Sequence, residues 1–142
     1  MSPDKCASLM KFVALLFGLY ALLWSLAPFP DVNLPARFIL DVSDWPINNL
    51  STPLDKSEKW LSSIAAGLLA ALAVFLALVV APAIKRKDKD TIRATYLALT
   101  AWYVVDGIGS IAAGIPSNVV LNTGYLCLAF APLILLKNTP NK

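Results

Sequence analysis

The chain has 142 residues, 58% of them hydrophobic and only 15% charged, with a net charge of +3. A soluble domain carries charge on about a quarter of its residues, so this composition points to an integral membrane protein. Histidine is absent, which removes His-based triads and His metal sites, and the two cysteines, Cys6 and Cys127, are too few for a four-thiolate zinc or iron–sulfur site within one chain.

A membrane helix needs about 20 mostly apolar residues. Four blocks meet that need, at about residues 9–27, 60–84, 92–115 and 118–136. They are continuously apolar and lack the two-residue alternation of a barrel strand, so they read as helices. Together they leave no room for a second, soluble domain. The expected architecture is all-α: one integral membrane four-helix bundle over residues 1–142, with no internal repeat.

Basic residues give the direction. Lys5 and Lys11 precede the first block, Lys85, Arg86, Lys87, Lys89 and Arg93 separate the second from the third, and Lys137 and Lys142 follow the fourth. The other two connections hold only Arg37, Lys56 and Lys59. This alternation puts both termini and the basic connection on the cytoplasmic side. The basic run is also a candidate contact for anionic lipid, because each such base gains about 1 kcal/mol at an anionic surface. Setting topology alone is the simpler account of it.

In chain order, the first block carries Gly18, Tyr20 and Ser25, which suit packing, and it stops at Pro28 and Pro30 with Trp24 at the outer interface. Ser25-Leu26-Ala27 resembles a signal-peptide cleavage site. The length of the apolar stretch and Pro28 directly after the cut favour an uncleaved anchor. The outer connection, residues 28–52, is long for a segment without secondary structure and is a candidate cap. Its Asp31, Arg37, Asp41, Asp44 and Trp45 suit a docking surface or lid; Phe38, Ile39 and Leu40 suit a loop resting on lipid. It also contains the glycosylation triplet Asn49-Leu50-Ser51. Thr52-Pro53-Leu54-Asp55 reads as an N-cap, a first-turn proline and a capping acid for the second block. That block places Ser63, Gly67 and Ala71 in a small-residue stripe suited to close helix contact, with Pro82 expected to bend or end it. Ile115-Pro116-Ser117 makes a short outer turn, so the third and fourth blocks form an antiparallel hairpin.

Asp106 is the one charged-type residue well inside a block. It lies ten residues before Pro116, which at about 1.5 Å per residue is about 15 Å below the outer end, near the midplane. Placing Asp there costs about 2.5–3.5 kcal/mol on insertion scales, so it needs partners. Helical spacing puts Tyr96, Tyr103, Asp106, Gly107, Ser110 and Gly114 on one face, and Asn118, Asn122, Tyr125, Ala129 and Pro132 on a face of the next helix. Counting outward from Pro116 sets Asp106 level with Tyr125 or Leu126, Ser110 with Asn122, and Gly114 with Asn118. The expected contact is a polar seam of Tyr103, Asp106, Ser110, Asn118, Asn122 and Tyr125. It either holds the helices together, lines a pocket for a ligand, or carries a proton through Asp106.

No nucleophile–base pair, phosphate loop or metal cluster is visible, and nothing suggests nucleic-acid binding. Cys6 is expected on the cytoplasmic side, and Cys127 to behave as a small apolar residue. Trp60-Leu61-Ser62-Ser63-Ile64 with Gly67, Trp102 with Val105-Asp106, Ser110 and Gly114, Asn118-Val119 with Leu121-Asn122, and Pro132-Leu133 together resemble a family of small bacterial four-helix inner-membrane proteins. The resemblance covers the second to fourth blocks and not the outer connection. It implies the fold and singles out the face from Asp106 to Asn122, without implying an activity or cofactor. Gly107 departs from it, since the family pattern has Ser after the acid.

These features lead to the expectation of a multi-pass protein of a cell membrane, of bacterial inner-membrane type, that is not an enzyme and has no cofactor. Its expected role is an accessory subunit or a binding protein for a partner membrane protein, a lipid or a small apolar ligand. The alternative is a small transporter or channel protomer working as a homo-oligomer, with Asp106 as coupling or selectivity residue. Expected partners are the lipid bilayer and either a larger membrane complex or further copies of the chain.

Overall fold

A computed structural model of the chain describes residues 1–137; Lys142 lies outside the described residues. It is all-α, with five helices: α1 Pro3–Trp24, α2 Leu34–Ser43, α3 Lys56–Arg86, α4 Lys89–Ala112 and α5 Pro116–Lys137. Three of these, α1, α3 and α5, are long and apolar enough to cross a membrane. The remaining long helix, α4, is diluted by Thr, Trp, Tyr and Ser residues and by Asp106, and falls outside that group.

The helix ends show why the chain turns where it does. Ser2 caps α1, with Pro3 in the first turn. The cap of α3 is Asp55, one turn nearer the helix than the expected Thr52. Its carboxylate accepts from the Glu58 N–H, while the Glu58 carboxylate accepts from the Asp55 N–H, each at 2.7 Å. Two otherwise orphaned N–H groups are thereby satisfied reciprocally. Asp88 caps α4; donation from the Thr91 hydroxyl and from the Thr91 and Asp90 amides holds its carboxyl below the usual range.

Pro82 does not end α3. The helix widens to a π turn over Leu76–Val80, with Ala81 N–H bonded to Leu76 O, and then continues to Arg86. A proline has no N–H and crowds the carbonyl four residues back, and a wider turn just before it relieves that conflict. Lys87, at φ 56°, then reverses the chain into α4. At the other end of α4, Gly114 takes φ +82°, with Ile115 N–H bonded to Ser110 O at 2.8 Å and Gly114 N–H to Ile111 O at 3.0 Å. This is a left-handed helix terminus with its paired closing bonds, a position that glycine occupies without the steric conflict of a Cβ. Pro116 follows at once as the first residue of α5.

One half of the bundle is packed solid. Cys6, Met10, Val13, Ala14 and Phe17 of α1 recur at helical spacing and meet Ala73, Leu76, Val80, Ala81 and Ile84 of α3, with Leu99 of α4 and Ala129 and Leu133 of α5. The face that α3 turns inward includes Ser62, Ala66 and Ala73. The expected Ser63–Gly67–Ala71 stripe lies beside it: Gly67 is exposed and a Cβ there would meet nothing within 4 Å. Glycines that do sit at helix contacts are Gly18, whose Cβ would meet Ala73 Cβ at 3.8 Å, and Gly107, whose Cβ would meet Val119 Cγ2 at 4.0 Å. This solid half includes the N-terminal end, where Lys85 Nζ lies 3.1 Å from Asp4. Lys85, Arg86, Lys87, Lys89 and Arg93 are all exposed there.

The opposite end carries the cap. Residues 28–52, the candidate cap, contain α2, which packs Ala36 with Ala27 and Leu54, backed by Trp24 and Leu40. Asp41, only 4% exposed, accepts from the Asn48 and Asn49 amides and so folds the returning chain against α2. Ser117 fastens the cap to α5, donating to Ser43 O at 2.6 Å and accepting from Trp45 N–H at 3.2 Å.

Substituting Gly114 with Val should lower stability by about 1–2 kcal/mol, the cost of forcing a side chain into left-handed backbone. Gly67→Ala, which meets open space, should leave it unchanged or raised. Thermal unfolding of the two variants in one detergent checks the difference.

Candidate functional site

The hairpin of α4 and α5 is centred on Gly114, not on Pro116. Ser110 and Asn118 stand four residues either side of that glycine, and Asp106 and Asn122 stand eight either side. The polar residues therefore pair one turn closer to the bend than a count from Pro116 suggests. Asn118 Nδ2 donates to Ser110 Oγ at 2.9 Å and to Asp106 Oδ2 at 3.1 Å. Asn122 Nδ2 also donates to Asp106 Oδ2, and Ser110 Oγ reaches the same oxygen at 3.4 Å.

Asp106, Ser110, Asn118 and Asn122 are thus brought together as one cluster, with three donors converging on a single carboxylate oxygen. Among the described residues, Oδ1 has no partner and no cation lies within ion-pair distance of Asp106. Donors on one oxygen and none on the other suit an acceptor-only carboxylate with one oxygen free for something else.

Tyr103 and Tyr125 take no part in this hydrogen-bonded cluster. The Tyr103 hydroxyl bonds Thr123 Oγ1 at 2.8 Å, away from Asp106. Tyr125 lies against α1, with its ring 5.9 Å from Phe17 and 5.3 Å from Tyr20. The one-turn shift explains both: once Asn122 is opposite Asp106, Tyr125 is too deep to reach it. Thr123 follows Asn122 directly, and recentring the hairpin would have revealed it as the partner of Tyr103.

Two cavities meet at this cluster. The larger, of about 730 Å³, lies under the cap between α2, the start of α3 and the ends of α4 and α5 that meet at Gly114. Arg37, Asp41, Asp44 and Glu58 line it, and Asp106 and Asn118 form part of its wall. The smaller, of about 410 Å³, is lined by Phe17, Tyr20, Trp24, Trp102 and Tyr125 together with Asp106, Asn118 and Asn122. Asp106, Asn118, Trp24, Ser43 and Ala65 line both. Two buried donors beside this region, Trp24 Nε1 and Arg37 Nε, have no hydrogen-bond partner.

The segment expected as a cap does cover the larger cavity; that it does so as a helix, and that aromatic rings line the smaller cavity, the sequence reading did not include. For the roof, Pro35 followed by Ala36, Ile39 and Leu40 at helical spacing is the readable signal. Among the described residues no group of three or more Cys, Asp or Glu side chains is placed to hold a metal ion. The arrangement can bind and orient a small molecule: an apolar, aromatic chamber with a few convergent polar groups is the usual form of a ligand site.

Removing one donor from this half-buried acid leaves it undersatisfied, so Asn122→Leu should cost about 1–3 kcal/mol. Asp106→Leu should cost less in the Asn122→Leu background than in the unaltered chain, because the partner is already lost. A double-mutant cycle on thermal stability checks this; equal costs in both backgrounds would contradict the pairing.

No family model, no curated protein and no solved structure matches the chain, so the functional reading rests on this geometry.

Proposed function

We propose that the chain is a non-catalytic membrane protein that binds a small ligand with an apolar body in the chamber beside Asp106. In this reading α1, α3, α4 and α5 all cross a cell membrane of bacterial inner-membrane type, with both termini cytoplasmic and the cap outside. Three features support α4 as the fourth span. It packs antiparallel to α5, its length matches that of the other spans, and it exposes Val105 (73%), Ile108 (66%) and Ile111 (63%) beside the Asp106 face. The basic residues at the Asp4–Lys85 end support the orientation.

The observation that carries the binding role is the cavity itself. Apolar spans that touch only for stability close over their polar residues, since packing is what holds such helices together. Here the polar cluster is satisfied on one side and open on the other, between a capped chamber and an aromatic one. On the far side the same four long helices close into a solid core, which argues against a continuous path for ions through one chain.

Native mass spectrometry of the gently extracted protein tests this. The expected result is one reproducible small mass retained per chain, reduced by Asn122→Leu and by Trp102→Ala. A second polypeptide in fixed stoichiometry with no retained small mass would instead make the protein an accessory subunit. A homo-oligomer with no retained mass would favour a transporter protomer.

A further inference from the structure

Resting on the ligand-binding reading, we propose that the ligand is a monovalent organic cation with an aromatic or apolar body, its charge against Asp106 and its body in the aromatic chamber. Two independent observations carry the sign of the charge. First, Asp106 has its three neutral donors on Oδ2, leaving Oδ1 without a partner among the described residues and no basic residue in ion-pair reach. A carboxylate in an apolar wall with one unused oxygen complements a cation, and an anion or a second acceptor there would be repelled. Second, the capped cavity leading to it is acidic. Among the described residues, Asp41, Asp44, Glu58 and Asp106 line it against the single guanidinium of Arg37, and no basic residue lines the aromatic chamber. A cleft lined by one sign of charge with low-dielectric walls concentrates the opposite sign and speeds its arrival.

The chamber supplies the rest of the recognition. Trp24, Trp102, Tyr20, Tyr125 and Phe17 line the smaller cavity together with Asp106. Aromatic faces attract a cation held within about 6 Å of the ring centroid, and most strongly where water is excluded. The same rings offer apolar surface to the body of the ligand. A small hydrated metal ion would gain little from five aromatic rings and a single carboxylate, because it needs several oxygen ligands. A neutral apolar molecule would leave the carboxylate without a counter-charge. An organic cation satisfies both parts of the wall at once.

Equilibrium dialysis of tetraphenylphosphonium against the full chain in lipid nanodiscs, with empty nanodiscs as the partition control, tests the proposal. The uncharged triphenylphosphine oxide serves as competitor. Binding should saturate at one cation per chain and weaken at least about tenfold in Asp106→Asn, since a hydrogen-bonded charge is lost. It should weaken about threefold or more in Trp102→Leu, be unaffected by Asp90→Asn, and be little displaced by the oxide. Should Asp106→Asn fail to fold, Trp102→Leu decides, and unchanged binding in that variant overturns the proposal. Equally strong competition by the oxide, with a retained native mass still sensitive to Asn122→Leu, overturns the cationic class while the ligand-binding reading stands. Absence of both phosphonium binding and a retained mass overturns both.

Discussion

A carboxylate inside an apolar helix is the constraint on which the outer half of this protein depends. A carboxylate among apolar side chains cannot be left unpaired, and the cost of doing so is comparable to that of several good helix contacts. The chain meets the demand with Asn118, Asn122 and Ser110. They reach one carboxylate oxygen only because Gly114, in left-handed backbone, closes α4 and lets Pro116 start α5 two residues later. The tight bend sets the register of the hairpin, and the register sets which residues face Asp106.

The rest of the molecule divides around that cluster. Away from the cap, apolar residues of α1 and α3 pack with Leu99 of α4 and with Ala129 and Leu133 of α5 into a buried core. Towards the cap the helices stand apart, and α2 bridges the opening, held by the buried Asp41 on one side and Ser117 on the other. Hollow space near a satisfied but half-open acid, with aromatic rings on one flank and carboxylates on the other, is a chemical environment of definite sign. Solid packing below gives it a rigid floor. A site held by packed helices keeps its geometry better than one carried on loops alone.

Much of this was legible in the amino-acid sequence, and the failures have physical causes. The four long helices and the polar faces of α4 and α5 follow from apolar runs and helical spacing. The pairing of those faces was misplaced by one turn, because the bend was centred on its proline when the glycine two residues earlier makes the reversal. The cap helix was missed because only ten residues form it, although Ala36, Ile39 and Leu40 give it a clear inward face. Pro82 was expected to end or bend its helix; the π turn before it could not be read, since nothing in Leu76–Val80 departs from ordinary apolar sequence. The small-residue stripe of α3 failed for a different reason. In a helix so rich in alanine, neighbouring faces look alike, and tertiary packing chose Ser62 and Ala66 over Ser63 and Gly67. The cavities were beyond sequence reading altogether, because they arise from what four helices and a cap leave unfilled.

The central claim is that the chamber around Asp106 opens outward, beneath the cap, and is closed towards the basic end. Cysteine accessibility in sealed, right-side-out vesicles tests it most directly, in a background with Cys6 and Cys127 replaced by serine and alanine. Ala65→Cys, on the wall of both cavities, should react with a cationic membrane-impermeant thiol reagent added outside, and more slowly with an anionic one. Leu99→Cys, in the solid core, should react with neither from either side. Labelling of Ala65→Cys only from the inside, or of Leu99→Cys as readily as Ala65→Cys, would contradict the account.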